Sequence, residues 1–71
     1  MTQTEKIVEY INRYGSITTM EAFTELDITR LSSRVFDLRQ QGVPVVGTVE
    51  TRTNKLGEKK HYKRYTIESD G

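Results

Sequence analysis

The sequence predicts a single α+β domain of three helices, a short strand after the first helix, and a C-terminal β-hairpin. Three observations predict it. Apolar residues recur at helical spacing in three short segments ending near Leu38. Beyond Gly42 the pattern changes to β-branched residues at strand spacing, broken once by Asn54-Lys55-Leu56-Gly57. The length of 71 residues leaves room for one domain and no more.

The first helix is expected from about Gln3 to Tyr14. Thr2 or Thr4 caps it, Glu5 stands in the first turn where the helix dipole favours negative charge, and Gly15 ends it with positive φ. Ile7, Tyr10, Ile11 and Tyr14 form its apolar stripe. Ser16-Ile17-Thr18 is an extended link or small strand. Thr18-Thr19-Met20-Glu21 reads as a capping box opening a second helix, whose buried face is expected to be Met20 and Phe23 with Ala22 nearby. Glu25-Leu26-Asp27-Ile28 has turn character. Thr29 is expected to cap a third helix from about Arg30 to Gln41, with Leu31, Val35 and Leu38 inward; Gly42 ends it and Pro44 forbids its continuation. Val43 to Thr53 and Lys59 to Ile67 are expected as paired strands, with Gly57 at positive φ in the turn. The ordered core is expected over residues 3–67, with Ser69-Asp70-Gly71 fraying.

Net charge is +1, but its distribution is uneven. Residues 1–51 balance to −2, residues 52–64 to +5, and residues 65–71 to −2. The cationic segment is Arg52, Lys55, Lys59, Lys60, Lys63 and Arg64 against Glu58 alone. Such asymmetry points to an anionic partner. Hydrophobic residues at 34% and charged residues at 30% fit a globular chain rather than a disordered one. The absence of cysteine removes disulfides and thiolate metal sites and suits a reducing cytoplasm. No apolar run approaches the ~20 residues of a membrane helix, and the N-terminus does not read as a secretory signal.

Two short helices, a Gly stop and a basic hairpin have a physical logic for nucleic acid. A helix fits the major groove, and a twisted hairpin beside it can carry cations to phosphates or into the minor groove. The segments Gly15-Ser16-Ile17-Thr18-Thr19-Met20-Glu21-Ala22, then Ile28 through Arg39, then Thr53-Asn54-Lys55-Leu56-Gly57-Glu58-Lys59 resemble small winged helix-turn-helix domains common in bacteriophage and prophage genomes. The resemblance runs from about Thr4 to Ile67 and implies that fold and DNA binding. In the turn between helices two and three, where the wider pattern has Gly, this chain has Leu26 and Asp27.

At ~100° per residue, the outward face of helix three carries Thr29, Arg30, Ser33, Asp37 and Gln40, with Ser32 and Arg34 on its flanks. The expected DNA-binding set is Thr29, Arg30, Ser32, Ser33 and Arg34 on the helix, with Arg52, Lys55, Lys59, Lys60 and Lys63 on the hairpin. Arg suits guanine bidentately, Ser and Thr suit phosphate or base, and lysines suit phosphate. Each has a plainer role to set against this. Arg30 or Arg34 can pair with Asp37, and edge lysines guard a strand against aggregation. Tyr10 and Tyr14 are expected at core or rim and Tyr65 in the core, while the pattern does not place Tyr62.

No catalytic chemistry is legible. His61 is the only histidine and is expected on the wing near phosphate. The five glycines follow neither phosphate-loop nor dinucleotide spacing, and Ser32-Ser33 lacks a nearby base. The expectation is a cytoplasmic duplex-DNA-binding module with no cofactor and no membrane association, acting as a regulator or accessory factor, alone, as a dimer or with a protein partner. The alternative is a winged-helix adaptor or inhibitor of a host protein. A third possibility is a hairpin that docks on a nucleoprotein complex. Folds of this type host many functions, so the choice rests on the site.

Overall fold

The computed structural model describes residues 1–68, so the expected fraying of Ser69-Asp70-Gly71 lies outside the described residues. The element order is α1 (Gln3–Tyr14), β1 (Ile17–Thr18), α2 (Thr19–Leu26), α3 (Leu31–Gln40), β2 (Val45–Thr53) and β3 (Lys59–Ile67). The strands form one antiparallel sheet in the order β1-β3-β2.

Local chemistry sets each boundary. At α1, the Thr2 hydroxyl accepts from the Glu5 amide at 3.2 Å and the Glu5 carboxylate accepts from the Thr2 amide at 3.2 Å, a complete capping box. The same reciprocal pair opens α2 between Thr18 and Glu21, at 2.9 and 3.2 Å. Helix α1 ends at Gly15 (φ 94°), whose amide reaches the Ile11 carbonyl. Helix α3 ends in a Schellman motif, with Gly42 N–H donating to Arg39 O at 3.1 Å and Val43 N–H to Leu38 O at 3.0 Å. Gly42 sits at φ 89°.

The missing glycine between α2 and α3 has a structural answer. Asp27 itself takes the left-handed conformation (φ 58°, ψ 31°), one of the few non-glycine residues that tolerates it. Its amide closes onto Phe23 O at 3.1 Å and the Ile28 amide onto Ala22 O at 2.9 Å, so the chain turns sharply and drives Ile28 into the core.

That core is Ile7, Ile11, Ile17, Ala22, Ile28, Leu31, Val35, Leu38, Val45 and Tyr65. Two aspects of α2 and α1 differ from the sequence reading. Met20 and Phe23 are 69% and 55% exposed, and the buried residue of α2 is Ala22. An eight-residue helix has one narrow inward line, and here a methyl group fills it, which permits close approach to the core. Tyr14 is exposed at 66%, its ring 4.7 Å from that of Tyr10, which is half-buried and donates its hydroxyl to Glu21 at 3.4 Å. Burial, and then the Glu21 carboxylate, push the Tyr10 hydroxyl above its ordinary pKa.

Helix α3 starts one residue later than expected and ends one earlier. Arg30 is its N-cap, Thr29 caps nothing, and no side chain bonds its first-turn amides. Strand β2 begins at Val45 rather than Val43, because Val43 is still engaged in closing α3. The wing turn is built by Asn54, whose side-chain oxygen accepts from the amides of Leu56 and Glu58 at 2.9 and 3.0 Å, with Gly57 at φ 81°.

Candidate nucleic-acid interface

Strand alternation sorts the wing side chains. Residues paired across an antiparallel ladder share a face, and neighbours along a strand oppose one another. Tyr65 and Val45 are buried beneath the helices and so mark the inner face. By register, that face also carries Val49 opposite Lys63, Thr51 opposite His61, and Thr53 opposite Lys59. The outer face carries Thr48 opposite Arg64, Glu50 opposite Tyr62, and Arg52 opposite Lys60. The expected cations therefore do not form one patch. Lys59 and Lys63 look toward α3, Arg52 and Lys60 look away from it, and Lys55 stands in the turn.

Gly47 matters on the inner face. A Cβ there would lie 3.0 Å from Cε1 and 3.2 Å from Cδ1 of Tyr65, so any side chain at this position would press on the ring and push it back by a few tenths of an ångström. The Tyr65 ring forms the floor of an open groove of about 560 Å³, walled by Ser32 of α3, Thr19 of α2, and Val49, His61 and Lys63 of the wing. His61 is held by Thr51 (Nδ1 to Oγ1, 3.1 Å).

Helix α3 presents two different flanks. Arg39 Nε donates to the Val45 carbonyl at 3.1 Å, which places the Ser32–Arg39 flank against the sheet. The other flank carries Arg30, Arg34 and Asp37. Of the two arginines, Arg34 is the one paired with Asp37, at 3.3 Å, and its Nε is buried without a partner. Arg30 is exposed and forms no ion pair among the described residues. Thr29 and Ser32 are exposed and Ser33 is half-buried. Lys55, Lys59, Lys60, Lys63 and Arg52 likewise form no ion pair among the described residues.

The sequence reading missed Phe36 and Arg39. Phe36 is 60% exposed on the face α3 turns to solvent, which by helical spacing also carries Ser33 and Gln40. The signal was present, since an aromatic residue off the Leu31–Val35–Leu38 stripe has no place in the core.

Arg64, part of the cationic segment, is structural. Its Nε donates to Glu50 at 2.9 Å and its Nη1 to the Ser16 hydroxyl at 2.8 Å, with Glu21 at 3.9 Å. It thus ties β3 to β2, to the link before β1 and to α2. Arg64, and then the Tyr62 hydroxyl, hold the Glu50 carboxyl below its ordinary value of 4.5. The linkage sign follows. This contribution to stability is fully present above about pH 4.5 and is lost as pH falls through the lower folded value. Glu50→Gln is expected to flatten the acid limb of a thermal-midpoint-against-pH profile; an unchanged limb would mean the pair contributes nothing.

Among the described residues, no group of three or more His, Cys, Asp or Glu side chains is placed to share a metal ion, and no helix is long and apolar enough to cross a membrane. Searches among curated proteins and solved structures return no match. A family model described as a winged helix-turn-helix domain matches residues 2–70, which is nearly the whole chain, and the structure has three helices and a three-stranded antiparallel sheet; the chain belongs to the winged helix-turn-helix domain family.

Proposed function

We propose that the domain binds duplex DNA, with α3 in the major groove and the inner face of the wing on phosphates. The observation that carries this is the shared groove. Ser32 at the start of α3 and Lys63 and His61 on the wing line one open surface, with Lys59 further along the same face. The first-turn amides of α3 have no side-chain cap, in contrast to α1 and α2. Free amides at a helix start are suited to a phosphate oxygen. Arg30, unpaired at that same start, is the base reader; Arg34, committed to Asp37, supports it. The domain is a binding module without catalysis, needs no cofactor and works in the cytoplasm. Its setting, regulation or accessory function in a bacteriophage or prophage, follows from the sequence resemblance.

Selection from a random duplex pool, followed by titration of the best sequence, tests this. Arg30→Ala is expected to cost about 1–3 kcal/mol on the selected site and much less on random duplex. Equal weakening on all sequences would reduce Arg30 to a backbone contact, and no selectable duplex would end the DNA reading. A second reading, a winged-helix adaptor or inhibitor of another protein, is favoured by the exposure of Met20, Phe23 and Phe36. It would gain from the last of those outcomes.

A further inference from the structure

The outer face of the wing holds a second, separate cleft. Its volume is about 600 Å³, and its walls include Met20 at the start of α2, Asn54 at the wing turn, and Arg52, Lys60, Tyr62 and Arg64 of the sheet. Arg52 and Lys60 stand directly opposite each other in the ladder. Like charges in that position repel and cost stability, and neither finds a carboxylate among the described residues. Glu21 also lines the cleft, and Glu50 stands opposite Tyr62 in the ladder, but both carboxylates are already committed. Glu50 is held by Arg64 at 2.9 Å, and Glu21 accepts from the Thr18 amide at 2.9 Å and the Tyr10 hydroxyl at 3.4 Å. The cleft therefore joins two unneutralised cations to an aromatic ring and an exposed thioether.

Cations alone would suit any polyanion. The Tyr62 ring, half-buried on its outer-face register, adds a surface on which a planar base can stack, and Met20, 69% exposed across the cleft, adds an apolar lid. Backbone-tracking cations beside a stacking platform are the two elements by which proteins hold single strands without reading sequence. We propose that this outer cleft binds an unpaired nucleotide segment of single-stranded nucleic acid, its phosphates on Arg52 and Lys60 and a base between Tyr62 and Met20. His61 and Tyr62 form the wall between the two clefts, so a strand leaving the duplex groove reaches the second site by crossing the wing.

The probes are (dT)4 and (rU)4 titrated against the whole chain, followed by backbone amide shifts. Perturbation is expected at Met20, Arg52, Lys60 and Tyr62, with Ser32 and Lys63 unmoved. The double variant Arg52→Ala with Lys60→Ala, and separately Met20→Ala, change exposed side chains and should keep the fold. The double variant is expected to weaken (dT)4 by about tenfold or more at low salt while leaving duplex affinity unchanged. Excess duplex should not displace the oligomer. Binding of (dT)4 alone would make the site selective for DNA, and binding of both oligomers would make it a general single-strand site. Shifts confined to Ser32 and Lys63, an unaffected double variant, one-for-one displacement by duplex, or hexaglutamate binding as well as (dT)4 would each overturn the proposal. The titration needs no duplex, so the two readings fail separately. A domain that ignores duplex but holds (dT)4 at the outer cleft keeps this inference and loses the preceding one, and the reverse pattern does the opposite.

Discussion

Ile28→Ala is expected to remove about 2–5 kcal/mol of stability. The whole domain, at 71 residues, has only about 4–11 kcal/mol to lose. Ile28 is 1% exposed and follows directly on the left-handed Asp27 that sets the angle between α2 and α3. Its side chain touches the same cluster as Leu31 and Val35, and the amide it places onto Ala22 O holds the turn shut. A cavity there cannot close easily, because rigid helix ends flank it on both sides. Phe23→Ala, on the residue the helical pattern expects inside, removes a side chain that is 55% exposed and should shift stability by no more than about 0.5 kcal/mol. Thermal unfolding followed by circular dichroism should separate them, with a midpoint lower by at least about 8 °C for Ile28→Ala. Equal midpoints for the two variants would place the core where the pattern, not the structure, puts it.

That contrast shows which features were legible. The capping box at Thr18, stops at Gly15 and Gly42, the stripe Leu31–Val35–Leu38 and the turn at Asn54–Gly57 are local, and each was readable because its chemistry lies within four or five residues; at the first helix the pattern left the cap open between Thr2 and Thr4, and the structure closes the box at Thr2 with Glu5. The buried face of α2 was not. Large apolar residues are normally inside, but in a two-turn helix the packing distance decides, and it selects Ala22 over Met20 and Phe23. The role of Asp27 was half legible: the residue was visibly in the turn, while its φ of 58° belongs to tertiary closure. Register was the largest omission at the site. Strand positions alone do not say which face is inward until Tyr65 is known to be buried against the helices. The segment balance of +5 therefore concealed four populations, namely Lys59 and Lys63 inward, Arg52 and Lys60 outward, Lys55 in the turn, and Arg64 spent on Glu50 and Ser16.

The wing triple variant Lys55→Ala, Lys59→Ala and Lys63→Ala should have the largest effect on duplex binding. Lys59 faces Thr53 and Lys63 faces Val49 across the ladder, and Lys55 lies in the turn, so no carboxylate loses a partner when they are removed. All three are exposed, and stability should change by no more than about 0.5 kcal/mol. Their contribution belongs to counterion release, at roughly 0.9 of log–log salt slope for each phosphate contact. If all three meet phosphate, the slope should flatten by about 2.7, and between 50 and 200 mM salt the native chain should lose about 40-fold more affinity than the variant. The register makes this sharper than a count of lysines would. The outer pair Arg52→Ala with Lys60→Ala removes two cations from the same hairpin and should leave the duplex slope untouched. If both variants flatten the slope in proportion to the charge removed, the wing enters the minor groove edge-on with phosphates on both faces, and the division between inner and outer cleft does not govern duplex binding. If neither changes it, the lysines serve only to protect the sheet edge, and duplex contact rests on α3 and Arg30 alone.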